Sequence, residues 1–208
     1  MFKLKIIIGS TREGRNADAV CQWLLPLTQS HGDFDVEVLD LREWNLPFFQ
    51  ETIASVGDFS NPTYSDPLVK RWNEKIREAD AYIIVTPEYN RSMPAVLKNA
   101  IDTVFFSFSF RRKPVAFVAY SLGPTAAARA VEHLTQIMVE TEAIPVRAST
   151  LIPLVTTAFD ADGQATNPIT NVHLSVMLDD LAWLAKVFKN ARSEVQSLPS
   201  ALRIRAKR

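Results

Sequence analysis

Ser10, Thr11, Arg12, Arg15 and Asn16 crowd one short polar stretch, directly after the run Ile6-Ile7-Ile8 and the break at Gly9. After Asn16 the pattern turns helical. A strand that passes through such a loop into a helix N-terminus makes an anion site. The first helical N–H groups have no intrahelical partner, and the helix dipole adds partial positive charge. Ser10, Thr11 and Asn16 can donate hydrogen bonds, and the guanidiniums of Arg12 and Arg15 fit phosphate oxygens. The bland alternative is a strand–helix turn that carries two arginines.

The spacing excludes two common phosphate motifs. Gly9 and Gly14 have P-loop spacing, but Arg15 and Asn16 stand where that motif needs a lysine and a magnesium-binding hydroxyl. Thr11 occupies the place of the second glycine in a dinucleotide fingerprint. What remains suits one terminal phosphate neutralised by protein rather than by metal.

Two further loops carry polar residues. In Thr86-Pro87-Glu88-Tyr89-Asn90-Arg91-Ser92-Met93-Pro94 two prolines stiffen the backbone, and Tyr89 offers a face for a flat ring. In Ser121-Leu122-Gly123-Pro124 the glycine permits close approach and Ser121 can donate.

The elements that must position these loops follow from hydrophobic periodicity. Lys3–Ile8 reads as a strand buried on both faces, and Asn16–Ser30 as a helix with Val20, Trp23, Leu24 and Leu27 inward. Phe34–Leu39 alternates like an edge strand. Leu41–Asp66 is a long loop, of a length usually functional or interfacial. Pro67 opens a helix with Leu68, Trp72, Lys75, Ile76 and Ala79 on one stripe. Ala81–Val85 is a third strand. Pro94 opens a helix to about Val104 with Val96, Leu97, Ala100 and Ile101 inward, and Phe105, Phe106, Phe108 and Phe110 follow as core or, alternatively, a subunit interface. Val115–Tyr120 is a fourth strand, Thr125–Glu142 a helix and Val146–Thr150 a fifth strand. Thr170 caps a last helix to about Ala191.

Strand–helix alternation with apolar strands predicts an α/β fold: a flavodoxin-like three-layer sandwich on a five-stranded parallel sheet in the order 2-1-3-4-5. The loops after strands 1, 3 and 4 then meet beside the switch point. One domain is expected over 1–192, with a basic, mobile tail over 193–208 containing Arg203, Arg205, Lys207 and Arg208.

The 208 residues carry 23 basic and 23 acidic side chains, a balance with no general attraction to nucleic acid or membrane. A lone cysteine, Cys21, excludes an internal disulfide and a cysteine-based zinc site. His31, His133 and His173 are scattered, so no metal site is expected. Without an apolar span or a leader-like start, the expected location is cytoplasmic.

The chain resembles the NADPH-dependent FMN reductases of flavodoxin-like fold. The resemblance rests on Gly9-Ser10-Thr11-Arg12 with Arg15-Asn16, on Pro87-Glu88-Tyr89-Asn90, and on Ser92-Met93-Pro94-Ala95-Val96-Leu97-Lys98-Asn99-Ala100-Ile101-Asp102. Leu46-Pro47-Phe48-Phe49 and Arg129-Ala130 with Leu134 also fit. It implies that Ser10, Arg12, Arg15 and Asn16 hold the FMN phosphate. Pro87, Glu88, Tyr89 and Asn90 would line the isoalloxazine, and Ser121, Leu122 and Gly123 would close the other side. It implies a homodimer or homotetramer that passes hydride from NADPH through FMN, in ping-pong order, to a flavin, quinone, azo compound or metal oxyanion, with no side-chain acid or base assigned. The alternative is an FMN electron carrier without turnover of its own; such carriers dock through acidic surfaces, and this chain is neutral. Two departures stand out: Ala126-Ala127-Ala128 replaces a usual glycine pair, and Thr103 replaces a tryptophan.

Overall fold

In the computed structural model, which describes residues 1–58, 61–195, 197–205 and 207, a parallel sheet lies between two helical layers. Its strands are β1 (Phe2–Ile8), β2 (Phe34–Asp40), β3 (Ala81–Pro87), β4 (Pro114–Tyr120), β5 (Ile144–Pro145) and β6 (Thr150–Ile152). The order is β2-β1-β3-β4-β5, and β6 also pairs with β4. The predicted fold is therefore the observed one. The helices are α1 (Ala17–Ser30), α2 (Ile53–Val56), α3 (Pro67–Glu78), α4 (Ala95–Asp102), α5 (Ala128–Glu140), α6 (Pro168–Glu194) and α7 (Ser200–Arg205).

Strand alternation builds two cores from one sheet. Leu4, Ile6, Ile83, Val85, Val118 and Tyr120 face the layer with α1 and α6. Ile7, Tyr82, Ile84, Val115 and Phe117 face α3, α4 and α5. All seven residues of β3 and of β4 are buried, as parallel strands covered on both faces require.

Several local expectations change. The fifth strand splits into β5 and β6, because Arg147–Ser149 leaves the ladder between them. The third strand runs on through Thr86 and Pro87, with Pro87 level with Tyr120. Val96 faces outward, and α3 buries Val69 and Asn73 rather than Leu68 and Lys75. Asn167, not Thr170, caps α6 by accepting from the Ile169 N–H at 3.1 Å. That helix extends past Ala191 to Glu194. Beyond it, Arg111 donates to the Leu198 carbonyl at 3.0 Å and Arg112 to the Val195 carbonyl at 3.2 Å, so the terminal segment lies against the body. Arg208 lies outside the described residues.

Register decides where the loops go. Ile8 is level with Val85 and with Asp40, Pro87 with Tyr120, and Tyr120 with Ile152. The carboxyl ends of β1, β3, β4 and β6 thus form one rim, where ligands bind in open α/β sheets.

Candidate cofactor site

A cavity of about 240 Å³ opens at that rim. Ser10, Arg12, Glu13, Gly14, Arg15 and Asn16 line it from the first loop, Pro87, Glu88 and Tyr89 from the second, and Tyr120, Ser121 and Leu122 from the end of β4. Val155 closes it from the turn after β6. Three distant segments therefore share one hollow.

The first loop has two constraints on its glycines. A Cβ on Gly9 would stand 2.9 Å from the Leu97 side chain and 3.1 Å from the Val85 carbonyl, so a larger residue there would push Leu97 of α4 and crowd β3. Gly14 holds φ at +60°, in the left-handed region that favours glycine. Asn16 precedes α1 without a side-chain cap bond, which leaves both its amide and the first helical N–H groups facing the loop.

Arg15 behaves differently from the sequence expectation. Its Nε donates to Asp18 at 2.7 Å, its Nη1 to Asp40 at 2.7 Å and to the Ser10 carbonyl, and its Nη2 to Asp40. Four of its five N–H groups are thereby engaged, and two carboxylates match its one charge. The physical role visible here is a clamp that fixes the loop to the end of β2. Burial alone raises the Asp40 carboxyl, and the Arg15 hydrogen bonds more than reverse this, so it lies below the usual carboxylate range. Arg12 carries the loop's less committed charge: its guanidinium lies 5.3 Å from the centre of the Tyr89 ring.

The ring loop is held from two sides. Tyr89 Oη and Ser10 Oγ are 2.9 Å apart, which links the first and second loops. Arg129 of α5 donates to Glu88 Oε1, through Nε at 2.7 Å and through Nη2. Tyr89 and Ser92 exchange backbone bonds of 2.8 and 3.0 Å around Asn90 and Arg91, whose φ values are +48° and +70°. Asn90 is thus a turn residue that tolerates the left-handed region, and it stands exposed, outside the cavity lining. Gly123 is not in the lining either, and a Cβ there would meet nothing within 4 Å.

Two buried polar atoms on the cavity walls lack any hydrogen-bond partner among the described residues: Glu88 Oε2 and Tyr120 Oη. Such orphans are costly unless a ligand or water satisfies them. Burial pushes the Tyr120 phenol above its ordinary range, so it stays protonated and can donate. Burial likewise pushes the Cys21 thiol up to about 12, which leaves it inert. The cavity thus offers helix N–H groups, hydroxyls and one uncommitted arginine at one end. At the other it offers the aromatic ring of Tyr89, with Glu88 and Tyr120 in the wall beside it. That donor set fits a phosphorylated flat heterocycle such as FMN.

Sequence reasoning placed Glu13 and Gly14 only as part of the Ser10–Asn16 stretch, and missed Tyr120 and Val155. Tyr120 was findable as the last residue of a buried strand feeding a polar loop. Val155 had no signal, because it arrives through backbone bonds: its N–H donates to the Ser121 carbonyl at 3.0 Å.

Fold and site together define a flavodoxin-like, FMN-dependent oxidoreductase. Residues 2–156 match the profile of the NADPH-dependent FMN reductases, and the chain belongs to that family. It is 35% identical over 166 residues to an NAD(P)H-dependent FMN reductase of Pseudomonas aeruginosa, covering 78% of this chain and 84% of the relative. It is 32% identical to an NAD(P)H-dependent FMN reductase of Schizosaccharomyces pombe, a match that spans only 57% of each chain. Among solved structures, the flavoenzyme NAD(P)H:(acceptor) oxidoreductase FerB from Paracoccus denitrificans shares the fold. Its TM-score is 0.74 at 24% identity, over 90% of this chain and 99% of that one.

Proposed function

We propose that this chain binds FMN at the rim cavity and uses it to carry electrons from NADPH to a small acceptor. One observation carries the reading: three loops distant in sequence enclose one hollow, with Ser10, Arg12 and Asn16 at one end and the Tyr89 ring at the other. FMN bound there would supply the redox chemistry, the passage of hydride from NADPH to the acceptor. NADPH, a proton and the acceptor thereby become NADP and the reduced acceptor. Both substrates would use the one cavity in turn, in ping-pong order.

The chain's own residues bind, orient and shield. Ser10, Arg12, Asn16 and the α1 N-terminus hold the phosphate, and Arg15 keeps their loop in shape. Pro87, Glu88 and Tyr89 line the ring on one side, with Ser121 and Leu122 opposite. Glu88, held by Arg129, and Tyr120 would stand in the wall beside the ring. Asn90 and Gly123 drop out of this assignment. Preorganised donors of this kind stabilise charge that develops on a reduced heterocycle.

Flat aromatic acceptors are favoured. A relative from Staphylococcus saprophyticus is named an FMN-dependent NADPH-azoreductase, and one from a Burkholderia species a 2-hydroxy-1,4-benzoquinone reductase. The unit is a cytoplasmic homodimer, paired at the groove lined by Phe49, Ile101, Phe105 and Ile137. No helix among the described residues is long and apolar enough to cross a membrane.

NADPH oxidation by purified, FMN-loaded protein tests the reading against a pure electron carrier. Steady turnover with a benzoquinone or an azo dye supports it. FMN retained without NADPH oxidation favours the carrier.

A further inference from the structure

Helix α6 commits only one face to the body of the protein. Leu174, Met177, Leu178, Leu181 and Ala185 pack into the core shared with α1. On its outer side Ile169, Val172, Val176, Trp183 and Val187 are all exposed, and Trp183 is 65% exposed. At about 100° per residue these five fall inside an arc of roughly 60°. They form an apolar stripe about 27 Å long at 1.5 Å per residue, broken between Val176 and Trp183, where the exposed Asp179 and Asp180 border it on either side. A stripe of this kind on a helix surface is the pattern of a helix–helix seam rather than of scattered exposed residues.

Charges beside the stripe say what fits it. Asp179 and Lys186 lie on the same flank, seven residues apart, on either side of Trp183. That spacing is about 10 Å along the axis, too far for them to pair within one helix. His31 takes Asp179 Oδ1 at 3.1 Å, which leaves the second carboxylate oxygen, and Lys186 has no ion pair among the described residues. When two copies of one helix meet antiparallel about a two-fold axis, the same flank meets itself with its order reversed. Crossing near Trp183 therefore sets Asp179 of each copy against Lys186 of the other, twice. The two tryptophans meet at the axis.

We propose that α6 is a self-association face, on which a second copy of this chain docks antiparallel with Trp183 at the two-fold. The partner is specified by the helix's own charge pattern: a parallel copy would not bring these two residues together. This face lies on the α1–α6 side of the sheet, whereas Phe105 and the α4–α5 groove lie on the other. The proposal is independent of the flavin reading and of pairing through Phe105.

Light scattering at about 100 μM protein tests it, a concentration suited to contacts of modest size. Trp183→Glu should halve the assembly mass of the parent. Asp179→Lys alone and Lys186→Asp alone should each halve it, since each sets like charges opposite one another. The double reversal Asp179→Lys with Lys186→Asp should restore it. All these changes are on exposed positions, and FMN-loaded turnover should remain that of the parent. A parent that is monomeric at that concentration, a mass unmoved by Trp183→Glu, or a double reversal that fails to restore it would overturn the proposal. Loss of mass with Phe105→Arg but not with Trp183→Glu would likewise assign the assembly to the other face.

Discussion

Two neighbouring arginines in one loop read alike in sequence, and the fold separates them. Arg12 is a half-committed charge over Tyr89, while Arg15 is spent on Asp18, Asp40 and the Ser10 carbonyl. Arg12→Ala should weaken FMN binding about tenfold to a hundredfold, the loss of one or two charge-assisted hydrogen bonds, with an unchanged melting temperature. Arg15→Ala should instead cost about 3 kcal/mol of stability, because it strands the Asp40 carboxylate at a site where the two side chains are 5% and 15% exposed. Urea unfolding separates the two outcomes, and equal destabilisation by both would refute the division of labour. The same pair predicts a pH dependence. The Asp40 carboxyl is depressed in the folded state, so its contribution is present above the unfolded carboxylate range, about pH 4. It is lost as pH falls through the folded value. Stability should decline below about pH 4, and Asp40→Asn should flatten part of that decline. A decline in Asp40→Asn as steep as in the parent would contradict this origin. The clamp was not legible in the sequence, since Asp40 is one of many acidic residues until register sets it level with Ile8.

At the scale of elements, the turn before α5 shows where local reading fails. The alanine-rich run was expected to open a helix, yet Ala126 and Ala127 hold φ at +51° and +63°, and the helix starts at Ala128. Alanine is among the best helix formers, but this turn must bring the chain from the β4 rim back along the sheet, and tertiary geometry overrides propensity. The buried Ala119–Ala127–Ala130 cluster holds the turn in place. A left-handed residue with a Cβ costs about 1 kcal/mol relative to glycine. Ala126→Gly and Ala127→Gly should each raise stability by up to roughly 0.5 kcal/mol, after the greater chain entropy of glycine is subtracted. A fall in the urea midpoint for both would show that the turn is not strained. The phosphate loop was far more legible, because Gly9, a polar run and a helix start are local features. The ring loop was legible only in part: its prolines and Tyr89 stood out, while the turn chemistry that exposes Asn90 depends on bonds between Tyr89 and Ser92.

For the whole molecule, alternation of apolar strands with amphipathic helices was enough to specify the layers and the strand order, since parallel crossovers leave few topologies open. The convergence of the loops followed from that order alone. What the pattern could not show was everything set by pairing across the sheet: the split fifth strand, the arrival of Val155, and Tyr120 as a polar wall. The central claim is that this rim grips one cofactor by both its phosphate and its ring. A fluorescence-quenching titration of the apoprotein with FMN, run beside riboflavin, tests it most directly. The account predicts one FMN per chain, with riboflavin bound about a hundredfold more weakly for want of the phosphate contacts. Riboflavin binding as tightly as FMN, or no quenching by either, would contradict it.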